Sequence, residues 1–140
     1  MHWMTLPLRR YADFSGRSRR KEYWMFHLFN LLVAAAIWTL IGIVMLAMYN
    51  ADASEDVMMT IFVPLAALHF FFALFLIVPG LAVTVRRLHD QDKSGWAILV
   101  ALIPGIGGLV LLVFMILEGT RGPNRFGPDP LESSGAMPAA

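Results

Sequence analysis

Residues 57–85 read VMMTIFVPLAALHFFFALFLIVPGLAVTV, 29 positions without an Asp, Glu, Lys or Arg. An α-helix rises about 1.5 Å per residue, so roughly 20 residues cross a hydrocarbon core about 30 Å thick. This stretch exceeds that length, so tilt, kinking at Pro64 or Pro79-Gly80, or emergence of one end is expected. Two further runs flank it and are equally free of charge: 25–48 (MFHLFNLLVAAAIWTLIGIVMLAM, 24 residues) and 96–117 (WAILVALIPGIGGLVLLVFMIL, 22 residues). All three are apolar on every side, the pattern of a helix in lipid or in a very large protein interior. A chain of 140 residues that is 58% hydrophobic, with mean hydropathy +0.64, has no such interior. The expected fold is an all-α membrane protein with three transmembrane helices at about 25–48, 57–85 and 96–117. They form a single domain over 1–130, with an N-terminal interfacial segment and a disordered tail over 131–140. The first run is expected to be retained, because a signal peptide has a short basic start and an apolar stretch of about 7–15 residues.

Charge sets the expected orientation. Arg9, Arg10, Arg17, Arg19, Arg20 and Lys21 precede the first run; the connector 49–56 carries only Asp52, Glu55 and Asp56; the connector 86–95 holds Arg86, Arg87 and Lys93. The positive-inside rule then puts the N-terminus and the second connector in the cytoplasm and the acidic connector outside. The third run is interrupted by Pro104-Gly105-Ile106-Gly107-Gly108. A kinked full crossing is expected there, which places the C-terminus outside. The alternative is a re-entrant hairpin, which would keep all eleven basic residues inside but needs protein cover for its turn.

Within the spans, His69 is the strongly titratable side chain at depth. It is either a neutral hydrogen-bonding histidine or part of a relay that needs a polar partner such as Asn30, Thr39 or Thr60. Ala97, Ala101 and Gly105 recur at four-residue spacing and predict a small-residue packing face on the third helix. Tyr11, Phe14, Tyr23, Trp24 and Trp96 sit beside basic residues, as interfacial anchors do, and Ser18 is placed to cap the helix entering the first span.

Two polar segments carry what chemistry the sequence offers. Arg86-Arg87-Leu88-His89-Asp90 ends a span with two guanidinium groups able to grip phosphate or carboxylate, and His89 with Asp90 offers a titrating pair. The competing reading is an interfacial turn through Ser94-Gly95, anchored by Trp96. Residues 119–130, with Asn124 and Arg125, are dense in turn formers. There is no H-E-x-x-H, G-x-S-x-G or Walker loop, so no catalytic residue, metal site or cofactor is assigned. With no cysteine there is no disulfide or thiolate chemistry, and the membrane-hugging basic residues argue against nucleic acid as a partner.

The same segments carry a family resemblance. Phe14-Ser15-Gly16-Arg17 with Arg20, Glu22, Tyr23 and Trp24, then Arg86-Arg87-Leu88-His89-Asp90 with Ser94-Gly95-Trp96, then Gly119-Thr120 and Gly122-Pro123-Asn124-Arg125-Phe126-Gly127-Pro128-Asp129-Pro130, occur in order. They resemble the motifs of family 805 of the domains of unknown function, the YhaH-like bacterial inner-membrane proteins, over about residues 11–130. Arg121 stands where a proline is common and Ala97 where a second tryptophan is common. The resemblance implies a multi-pass helical bundle in the bacterial inner membrane and supplies no activity. The function expected is a non-enzymatic module that binds anionic lipid headgroups or a partner protein at the cytoplasmic interface. Its candidate ligand residues are Arg17, Arg20, Arg86, Arg87, His89, Asp90, Asn124 and Arg125. The alternatives are a homo-oligomeric transporter or channel subunit, and an enzyme acting on lipid or envelope precursors.

Overall fold

The computed structural model describes residues 2–132; of the tail expected over 131–140, the part beyond residue 132 lies outside the described residues. Among those residues the chain is all-helical. α1 spans His2–Arg9, α2 Arg20–Asn50 and α3 Glu55–Asp90; a 3-10 helix spans Gly95–Leu102, and α4 spans Gly107–Ile116. The chain divides into two compact units, Leu28–Ile77 and Met1–His27 with Val78–Ala140.

The Leu28–Ile77 unit is a helical hairpin made from the later part of α2 and the earlier part of α3. Its turn is closed by Ala51 N–H bonding to the Ala47 carbonyl at 3.1 Å and by Asp52 in the left-handed region at φ 53. The hairpin buries almost nothing: Leu31 is 65% exposed, Leu68 69% and Phe71 66%. Apolar surface on this scale is stable only against another apolar phase. Both helices have the length and composition to cross a membrane, as the sequence reading of these two runs required.

The other unit has a conventional interior, with Phe26, Ala82, Val83, Leu88 and Met115 buried. Charged groups are buried among them: Arg17, Glu22, Arg86, Arg87 and Asp90. α1 lies at the entrance of α2, where Arg19 and Lys21 stand over the Trp3 ring at 5.4 and 5.9 Å. Ser18 is no cap. Its N–H reaches the Arg86 carbonyl at 3.1 Å, and its buried hydroxyl has no partner.

The third apolar run departs from the expected kinked helix. It forms two short elements, the eight-residue 3-10 helix and the ten-residue α4, which pack on each other. At about 2.0 and 1.5 Å per residue, each reaches roughly 15 Å, half a bilayer core. The reversal falls on the Pro104–Gly108 interruption, where Gly105 has φ +83, a conformation that favours glycine. Beyond the turn, Gly107 lies directly against the backbone of Val100 and Ala101, where a Cβ would collide with the Val100 carbonyl. The packing face expected of Ala97, Ala101 and Gly105 assumed one regular α-helix, whereas Ala97 and Ala101 lie on the 3-10 helix and Gly105 lies beyond it. A 3-10 helix has three residues per turn, so four-residue spacing moves to another face, and Gly105 sits exposed in the turn. Gly107 is the glycine that permits close approach.

Candidate functional site

The polar end of α3 is a hub of buried guanidinium groups. Arg86 and Arg87 have no solvent-exposed surface, and Arg17 is 7% exposed. An arginine presents five N–H donors and no acceptor, so burying it requires carboxylates or carbonyls around it. Each finds them within this unit. Arg86 donates to Glu22 Oε1 at 3.1 Å and to the Asp13 carbonyl, leaving its Nε unpartnered. Arg87 donates to Asp90 Oδ2 and to the carbonyls of Met115 and Leu117, closing the last turn of α4. Arg17 donates to Asp90 Oδ1 at 3.0 Å, to Thr120 O at 2.5 Å and to Gly122 O at 2.6 Å.

Asp90 is the shared acceptor. Its two oxygens bridge Arg17 and Arg87, and its carbonyl accepts from Thr120 N–H at 2.8 Å. Gly119 passes so close that a Cβ would fall on Asp90 Oδ2, which gives the Gly119-Thr120 pair a steric reason. Gln91 adds a bond to the Phe114 carbonyl. Through Arg87, Gln91 and Thr120, the chain leaving α4 is tied to the end of α3. Gly95, which opens the 3-10 helix, sits against Val85 and His89 of the same helix end.

His89 and Asp90 form no acid–base pair. The His89 ring stacks on Phe126 at 3.8 Å and 4°, and its Nδ1 lies 3.2 Å from the Gly16 carbonyl. Asn124 organises the closing loop. It donates to the His89 carbonyl and to Thr120 Oγ1, both at 2.9 Å, while its Oδ1 accepts from Phe126 N–H. Asp129 accepts from Leu131 N–H at 2.8 Å and Gly122 N–H at 3.0 Å, and these bonds, led by that from Leu131, hold its carboxyl below the ordinary range. In the entry loop, Asp13 accepts from Ser15 and Arg10, Ser15 being the stronger influence, and its carboxyl lies well below the ordinary range.

The sequence-derived site residues thus separate into two groups. Arg17, Arg86, Arg87, Asp90 and Asn124 converge, and their polar atoms are turned inward. Arg20 and Arg125 are exposed, each in a solvent-facing ion pair, with Glu118 at 3.2 Å and Asp92 at 3.1 Å. Trp24 and Trp96 are 41% and 78% exposed, and Ser94 opens the 3-10 helix by accepting from Trp96 N–H. Asp13, Glu22, Gln91 and the carbonyls of 114–117 complete the hub but were not read as part of a site from sequence. The available signal was electrostatic: adjacent arginines ending an apolar run call for acceptors, and Glu22 lies in the entry motif.

Reaching into the hub at Arg17 and Asp90 is a cleft of about 440 Å³ whose lining also includes Arg19, Arg20, Lys21, Arg121, Glu118 and Asp129. Lys21 and Arg121 are exposed.

Residues 11–128 match the family described as "Protein of unknown function (DUF805)", a span that takes in the entry loop, the hub and the closing loop together. The chain belongs to this family. It is 44% identical to the inner membrane protein YhaI of Escherichia coli K12, over 93% of this chain and 96% of the relative. Identity to the inner membrane protein YhaH of the same strain is 42%, covering 93% and 97% of the two chains. A shorter similarity, 37% over 39% of this chain and 54% of the relative, links it to the uncharacterized protein YiiR. No solved structure matches the chain. With its relatives it is an inner-membrane protein of a family whose description assigns no function. The hub is built from the three motifs that identified the family in the sequence.

Proposed function

We propose that this protein is a non-enzymatic inner-membrane module with two crossings and one re-entrant hairpin, whose cytoplasmic end binds the phosphate of anionic lipid headgroups. α2 and α3 supply the crossings, and the 3-10 helix with α4 dips into the cytoplasmic leaflet and returns. This differs from three full crossings, and the ties of both hairpin ends to the end of α3 support it. The charge pattern agrees: every Lys and Arg then lies on one side, and only Asp52, Glu55 and Asp56 flank the opposite turn. Trp24 and Trp96 serve as headgroup-level anchors in this arrangement.

The observation that carries the binding reading is the basic cleft. Arg86 and Arg87 are consumed by internal acceptors, so the role expected of them passes to Lys21 and Arg121, with Arg20 in support. A basic residue near an anionic membrane surface contributes about 1 kcal/mol. Losing Lys21 and Arg121 removes about 2 kcal/mol, roughly a thirtyfold weakening. The test titrates purified full chain in detergent with phosphatidylglycerol or phosphatidylcholine. Wild type is expected to prefer phosphatidylglycerol, and Lys21→Gln with Arg121→Gln to lose most of that preference with unchanged thermal stability. Equal affinity for both lipids, or a preference intact in the double variant, refutes the reading.

A further inference from the structure

The Leu28–Ile77 hairpin contains a second cavity, a groove of about 280 Å³ between α2 and α3, unrelated to the basic cleft. Its walls are apolar, formed by Ala34, Phe72, Ala73, Leu76 and Ile77, with two polar exceptions, Asn30 and His69. These two residues hold the unsatisfied polar atoms of this unit: Asn30 Oδ1 and His69 Nδ1 are buried and have no hydrogen-bond partner. The His69 ring is held edge-to-face against Trp38 at 5.5 Å, a contact that orients the imidazole without satisfying its nitrogen. A buried polar group without a partner costs about 1–3 kcal/mol, and hydrocarbon supplies no donor or acceptor to relieve it. A ligand that brought a polar group to this groove would relieve both.

The chemistry narrows the occupant. Asn30 Oδ1 needs a donor. His69 Nδ1 needs an acceptor or a donor according to its tautomer. A hydroxyl group, which donates once and accepts twice, satisfies both residues when His69 Nδ1 carries the proton, donating to Asn30 Oδ1 and accepting from His69 Nδ1–H. One water would find only these two partners, the lower end of the two to four it usually has, and at about 30 Å³ it would leave most of the apolar groove unfilled. The volume lies just below the range of small-molecule sites, which begins at about 300 Å³. Ala34 and Ala73 open the space, while Phe72, Leu76 and Ile77 offer contact to a hydrocarbon body.

We infer that this groove binds a membrane-soluble amphiphile through its hydroxyl group, with Asn30 and His69 as the polar recognition pair and the apolar walls holding the hydrocarbon portion. This site is independent of lipid binding at the cytoplasmic end.

The test uses the purified full chain in phosphatidylcholine vesicles and two photoactivatable diazirine probes, hexadecanol and its methyl ether. The ether keeps the chain and the acceptor oxygen but has no donor. The alcohol is expected to label peptides containing Asn30 or His69 at least fivefold more than the ether does. Asn30→Leu and His69→Phe should each reduce alcohol labelling to the ether's level. Because the probe comparison is made on wild type, it holds even if a variant folds poorly. Equal labelling by the two probes overturns the inference. So does a copy-to-copy crosslink through the groove that excludes the alcohol, since a second chain would then be the occupant.

Discussion

Asp90→Asn tests the hub with the smallest possible change in shape. The carboxylate is 6% exposed and receives charge-assisted bonds from Arg17 Nε at 3.0 Å and from Arg87. The amide keeps one acceptor, turns an NH₂ toward a guanidinium, and leaves two buried cations without their counter-charge. Removing one partner of a buried ion pair costs about 3–5 kcal/mol. The natural control is Asp92→Asn, two residues on, whose pair with Arg125 is exposed on both sides and contributes at most about 1 kcal/mol. The assay is thermal unfolding of the detergent-solubilised protein followed by size-exclusion fluorescence. Asp90→Asn is expected to lower the midpoint by on the order of 10 °C, and Asp92→Asn by no more than about 3 °C. Combining Asp90→Asn with Arg17→Gln should cost less than the sum of the single changes, because each alone strands a charge. Equal shifts for Asp90→Asn and Asp92→Asn, or strict additivity of the pair, would refute the hub as the element that closes this unit.

Two further outcomes follow from the same geometry. Gly119→Ala puts a methyl on the Asp90 carboxylate and Gly107→Ala puts one on the Val100 carbonyl, so both should lower folded yield in detergent, whereas Gly108→Ala, with open space around it, should be tolerated. Asp13 and Asp129 have carboxyls held below their ordinary range, so their contribution to stability is fully present above the unfolded carboxylate pKa and is lost as pH falls through the lowered folded values. Thermal midpoints should therefore hold from pH 7 down to about 5 and fall below about 4, with a shallower acid limb in Asp129→Asn.

The two long helices were legible because their signal is local: an uncharged run of lipid-spanning length means the same thing whatever surrounds it. The third run was legible only in part. Its length favours a crossing, and Pro104 to Gly108 marks an interruption, but whether the chain bends or reverses depends on tertiary ties. Those ties come from Arg87 and Gln91 to carbonyls about 25 residues away, and backbone carbonyls leave no trace in side-chain pattern. The arginine pair was visible as a cluster, while its role was not. Exposed arginines would suit a phosphate; buried ones paired with Glu22, Asp90 and main-chain oxygens are part of the fold's interior. His69 was visible as an anomaly, and of the polar partners the sequence offered, the structure puts Asn30 on the same groove.

The central claim, that the third apolar run enters and leaves on one side of the membrane, is open to a direct measurement. The chain has no cysteine, so single substitutions report without background. Cysteine is placed at exposed Ala12, Ala51 and Glu132 in turn, and intact spheroplasts are treated with a membrane-impermeant maleimide before and after permeabilisation. The account predicts that Ala51→Cys labels in intact cells, while Ala12→Cys and Glu132→Cys label only once the membrane is opened. Labelling of Glu132→Cys in intact cells, with Ala12→Cys still protected, would mean a third full crossing and would contradict it.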